Sequence, residues 1–131
     1  MIDSWAWIEY WKGGELAKEA ARYIEGDEES IVSAINIAEI HSWVSRYYGQ
    51  GKADEKIRTV ERRCHVIAVE KEIAIAAAKI RILDKLALAD SLIVATARSA
   101  GGKVVSGDSD MKRLDDVIFL QRPGQASIKG R

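Results

Sequence analysis

The sequence predicts an α/β sandwich: a central, mainly parallel sheet of four or five short strands covered by helices. Three observations carry this reading. Short β-branched runs, at 30–35, 64–69, 103–106 and 117–120, alternate with longer stretches whose apolar residues recur at helical spacing. Glycines and acidic turns separate the two kinds of segment. The single proline, Pro123, lies beyond the last run, so long helices are free to form before it. Strands that alternate with helices favour parallel pairing through crossover connections.

Length and composition narrow the classes. A chain of 131 residues, 47% hydrophobic and 31% charged, has the make-up of one compact domain with a real core. Lys and Arg together number 20, as do Asp and Glu, which argues against a grip on nucleic acid by bulk charge. Cys64 is the sole cysteine, so neither an internal disulfide nor a cysteine-based zinc site is possible. The start, MIDSWAWIEYW, lacks the basic and apolar regions of a signal peptide. The longest apolar run, Ile73 to Ala78, is too short to span a bilayer. These features predict a cytoplasmic location and no membrane partner.

In chain order, Ser4 is a plausible N-cap for a helix in which Trp5, Ile8 and Trp11 share a face, ended by Gly13-Gly14. A second helix is expected over 15–25, with Leu16, Ala20, Tyr23 and Ile24 inward. The strand at 30–35 leads to a helix from Asn36, its expected N-cap, to Tyr48, with Ile40, Val44 and Tyr47 as its stripe. A charged helix over 52–63 should run back antiparallel to it. After the strand at 64–69 come helices over 70–83 and 86–100, then strands at 103–106 and 117–120. The segment 121–131, with three basic residues and no acid, is expected to be a flexible tail outside a single domain of residues 1–120.

Ligands of open parallel sheets collect at the carboxyl ends of the strands. There the pattern places Asp3 after the first strand, Glu39 one turn into the third helix and Asp108 just past the strand at 103–106. Asp90, near the start of the 86–100 helix, completes the set. Taken singly, each acid is better read as a cap or a surface charge. Together they form an oxygen-only set, which repels itself unless a cation neutralises it and which suits a hard ion such as Mg²⁺ or Mn²⁺. Such an ion activates water for attack on a phosphodiester.

The pieces IDS (2–4), SAINIAEI (33–40), LALADSLIVATA (86–97) and VVSGDSDM (104–111) resemble, in order and spacing, the motifs of PIN-domain ribonucleases, the VapC-type toxins of toxin–antitoxin pairs in particular. The last two carry the most specific part of the likeness, which spans the chain to about Leu120. The resemblance implies a PIN-like α/β/α sandwich and catalytic, metal-holding roles for Asp3, Glu39, Asp90 and Asp108. Ser4 and Ser106 would bond the acids or a metal-bound water. Asp110 rivals Asp108 and is assigned a supporting or turn role. The family further implies Mg²⁺- or Mn²⁺-dependent cleavage of single-stranded RNA, a homodimer, and a small VapB-like antitoxin that inhibits it. Only Met1 and Ile2 precede Asp3 where family members carry more apolar residues, and Met111 stands where Phe is commoner, as one apolar packing residue for another.

Arg98, Lys112 and Arg113 are the candidates for substrate phosphates. Of the four tryptophans, Trp5 and Trp7 must point to different faces of one helix, and Arg46 with Tyr47 and Tyr48 could stack on a base. Two further readings stay open: a PIN nuclease of RNA processing without an antitoxin, and a non-catalytic binding module on the same fold.

Overall fold

The computed structural model of the chain describes residues 1–121, so the basic tail lies, from residue 122 on, outside the described residues. Its elements are α1 (Ser4–Lys12), α2 (Ala17–Ile24), β1 (Ile31–Ser33), α3 (Ala34–Tyr48), α4 (Gln50–Arg63), β2 (His65–Ile67), α5 (Lys71–Asp84), α6 (Leu88–Ser99), β3 (Val104–Ser106) and β4 (Val117–Phe119).

Among the described residues all strand pairing is parallel, β1 with β2 and β3 with β4. The segment Met1–Asp3 joins the two ladders. Ile2 bridges Val105 in parallel, and its N–H donates to the carbonyl of Ile31 at 3.2 Å. The order across the molecule is therefore β2, β1, the segment 1–3, β3, β4, which is the expected parallel sheet in five short pieces. The first piece is a single bridge rather than a strand.

Successive residues on these pieces point to opposite faces, and each face has its own core. Ile2, Val32 and Val105 pack under α1 to α4, together with Trp7, Ile40 and Val44. Met1, Val104 and Val117 pack under α5 and α6, together with Ile80, Ile93 and Met111. The result is helices on both sides of a thin parallel sheet. Met111 is fully buried, as its reading as a packing residue requires. Among the described residues no helix is long and apolar enough to cross a membrane.

Several local expectations are corrected. Ser4 is not an N-cap: Asp3 holds that position with extended backbone and no side-chain cap, and Ser4 begins α1. Trp7, at 1% exposure, is the core residue of α1, while Trp5, Ile8 and Trp11 are only partly buried. The helical period was right but its phase was set on the wrong tryptophan. Asn36 is not the N-cap of α3 either. Ser33 caps it, accepting from Ile35 N–H at 3.0 Å, and Asn36 closes a capping box by accepting from Ser33 N–H at 2.9 Å. Tyr47 leaves the inward stripe and is 61% exposed. Gly13 ends α1 in the left-handed conformation, with φ 63°, where glycine carries no Cβ penalty.

Candidate functional site

Because every strand is parallel, their carboxyl ends share one edge. That edge gathers the start of α1, the first turns of α3 and α6, and the loop after β3. Asp3 sits at its centre, 4% exposed. Its Oδ2 accepts from Ser106 Oγ at 2.7 Å and its Oδ1 from Asn36 Nδ2 at 3.1 Å. Asn36 Nδ2 also donates to Ser4 Oγ at 2.9 Å, and that hydroxyl donates to Glu39 Oε1 at 2.7 Å. In the other direction, Ser106 Oγ accepts from Asp108 N–H at 3.0 Å, and Asp108 Oδ1 from Asp110 N–H at 2.9 Å. One hydrogen-bonded chain thus runs from Glu39 through Ser4, Asn36, Asp3 and Ser106 to Asp108 and Asp110.

Asn36 is the member that sequence reasoning missed as part of the site. It is fully buried, and its amide is used on both sides, the oxygen for the helix cap and the nitrogen for the acids. The signal was present as an Asn three residues after Ser33, the capping-box spacing.

Asp90 lies in the first turn of α6, but Ala87 is the N-cap and no side chain caps the helix. The bland reading of Asp90 as a cap therefore falls away. One carboxylate oxygen each from Asp90, Asp108 and Asp110 lie within 4.8 Å of one another. Asp110, in the 3₁₀ turn after Asp108, is thus a member of this acidic group, and its exposure is the highest of the three. Asp3 and Glu39 stand outside that group yet are felt by it. Burial pushes the Asp90 carboxyl up to about 6, helped by repulsion from Asp108, Glu39 and Asp110. Burial likewise pushes Asp3 up to about 7; the Ser106 hydrogen bond opposes the rise, and the charges of Glu39 and Asp90 add to it.

The basic candidates separate. Arg98 sits in the last turn of α6, at the opposite end from Asp90, and is forked onto Asp116 at 2.6 and 3.2 Å. The structure does not bring it to the acids. Lys112 Nζ lies over the Phe119 ring, 5.2 Å from its centroid. Arg113 does reach the edge. It donates to the carbonyl of Asp84 and lines a cavity of about 290 Å³ with Lys85, Ser109 and Asp110. Lys85, with φ 53°, is a second cation there that the sequence did not single out.

Trp5 holds the acidic loop from above. A Cβ added at Gly107 would run into the Trp5 ring, so glycine lets the indole lie directly on the backbone between Ser106 and Asp108.

Against known proteins, residues 1–117 match the model of the PIN domain family. No curated protein matches in sequence. Several solved structures share the fold, three of them as follows. A chain of a toxin–antitoxin complex from Klebsiella pneumoniae has a TM-score of 0.76 at 20% identity, over 92% of this chain and 97% of that one. A chain of VapBC2 from Rickettsia felis, bound to a promoter DNA fragment, gives 0.70 at 16% identity, over 93% and 96%. A chain of VapBC-1 from nontypeable Haemophilus influenzae gives 0.69 at 17%, over 93% and 96%. At such identities the likeness speaks for the fold, and the family rests on the sequence match that spans nearly the whole described chain. The chain belongs to the PIN domain family.

Proposed function

We propose that the protein is a divalent-metal-dependent endoribonuclease that cleaves single-stranded RNA and acts as the toxin of a toxin–antitoxin pair. The observation that carries the reading is the grouping of Asp90, Asp108 and Asp110 at the carboxyl edge of a parallel sheet, hydrogen-bonded through to a buried Asp3.

The donor set fits a hard ion. It offers only oxygen, and the Asp90 carboxyl is pushed up by burial and then by the charges of Asp108, Glu39 and Asp110, a strain that a cation relieves. Asp90 and Asp108 would hold the ion, with Asp110 in the same group and Asp3 and Glu39 completing the site. When bound, Mg²⁺ or Mn²⁺ supplies an acidified water and offsets charge on the phosphate. The protein's own residues supply position. Ser106 and Asn36 clamp both oxygens of Asp3, and Ser4 fixes Glu39, so the acids need little reorganisation on binding. Lys85 and Arg113 stand where phosphate oxygens would approach the group.

The partners follow from the same reading. Similarity in fold to chains of toxin–antitoxin complexes supports a small VapB-like antitoxin. A homodimer is supported by Ile75, Ile82 and Leu83 of α5 and Leu88 of α6, which are 51–81% exposed and offer apolar surface to a second copy.

The test is incubation of the protein with a pool of single-stranded RNA in Mn²⁺ or Mg²⁺, with and without chelator. Cleavage at defined sites that chelator abolishes is expected. Cleavage that survives chelation, or none by folded protein in either metal, would contradict the proposal. Co-expression with a cognate VapB-like protein should give a complex in which cleavage is suppressed.

A further inference from the structure

At the end of α1 away from the acidic edge, α1, α3 and α4 enclose a second cleft of about 230 Å³. Its walls carry the rings of Trp11, Trp43 and Tyr48 and the ammonium groups of Lys12, Lys52 and Lys56, with no Asp or Glu among the lining residues. The aromatic wall is continuous. Trp43 lies 6.0 Å from Tyr48 and 4.9 Å from Tyr47, centroid to centroid, and both tyrosines are more than 60% exposed. Lys56 Nζ stands 5.1 Å from the Trp11 centroid, and Lys52 is held 3.3 Å from Glu55 just outside the cleft. Most of the surface of both tyrosines is left outside the core, beside the three lysines.

We propose that this cleft is an auxiliary site for single-stranded RNA, holding one base against Trp43 and Tyr48 and the flanking phosphates against Lys12, Lys52 and Lys56. The inference rests on the ribonuclease reading and adds the place where substrate is gripped away from the acids. Aromatic faces beside a positive groove are the means by which single strands are bound without base-specific readout. The chain as a whole is neutral, so affinity for phosphate must come from a local concentration of cations such as this one. The reach is also right. α1 begins at Asp3 and Ser4 and places Trp11 and Lys12 roughly 12 Å further along its axis. That distance is spanned by about three or four stacked nucleotides at 3.4 Å each. A strand cut at the acidic edge can therefore still lie in the cleft.

The test uses fluorescence anisotropy of a labelled uridine-rich RNA in chelator, so that binding is read without cleavage, across a salt series. The proteins are wild type, Tyr48→Ala and the triple variant K12Q/K52Q/K56Q, none of the altered residues being fully buried. Tyr48→Ala should weaken binding about tenfold. The triple variant should lower the slope of log affinity against log salt by about 2. Wild-type affinity and slope in both variants would overturn the cleft, even if wild type cleaves RNA in metal. If the variants keep RNA affinity and instead lose the antitoxin, the surface docks protein and the proposal is likewise overturned. Absence of any RNA binding or cleavage by wild type would remove both this site and the function it serves.

Discussion

Asp90 illustrates how a single carboxylate kept among other acids works against stability at neutral pH. Its folded pKa of about 6 lies above the ordinary 3.8, so the folded state holds its proton the more tightly. The stability that this lends is complete below about pH 4 and is lost as pH rises through about 6. Asp3, raised to about 7, acts in the same direction over a wider range. Metal-free protein should therefore melt lower at pH 7.5 than at pH 5. Asp90→Asn should raise the melting temperature at pH 7.5 by a few degrees, the equivalent of roughly 1 kcal/mol once solvent screening of this half-exposed group is allowed for. A melting curve for Asp90→Asn that tracks wild type at every pH would refute the repulsion. Asn36 works the other way. Asn36→Ala leaves Asp3 Oδ1 and the Ser33 N–H without their partners in a buried setting, so urea denaturation should show a loss of about 2–3 kcal/mol.

At the scale of elements, what the sequence disclosed and what it withheld have separate causes. The order of helices and strands was legible because each carries its own period, and the acids of α6 and the β3 loop were legible because they follow those elements directly. Trp7 was misplaced because the three tryptophans of α1 gave two possible phases for the helix, and only packing against Ile2 and Val32 decides between them. Asn36 was half legible: its capping spacing can be read locally, but its bonds to Asp3 and Ser4 cross more than 30 residues of chain. Asp108 and Asp110 could not be ranked from sequence, because the short 3₁₀ turn that starts after Asp108 brings both carboxylates to Asp90. The contact of Trp5 with Gly107 is of the same long-range kind. Gly107→Ala should push the indole or the loop aside, lower stability by about 1–3 kcal/mol and weaken Mn²⁺ binding measured by calorimetry. Unchanged metal affinity would show that Trp5 does not hold the loop.

The whole molecule is a two-sided device. One edge of the sheet gathers carboxylates, and the far end of α6 carries the Arg98–Asp116 pair. Arg98→Ala should cleave RNA at the wild-type rate while costing about 1 kcal/mol or less of stability. A collapse of activity with stability intact would return Arg98 to the substrate path. Ile82→Glu, at a position 78% exposed, should yield monomers in sedimentation experiments if α5 forms the dimer face. Sedimentation identical to wild type would place the interface elsewhere.

The central claim is that the acidic edge cuts RNA with the help of a metal ion. Its most direct test is the cleavage of one defined RNA in Mn²⁺ by wild type beside Asp90→Asn, with thermal melting of both proteins measured in parallel. Asp90→Asn keeps the shape of the side chain and removes its charge from the group it shares with Asp108 and Asp110. The variant should fold, melt no lower than wild type at neutral pH, and leave the RNA intact. A folded Asp90→Asn protein that cuts the same RNA at the wild-type rate would contradict the account.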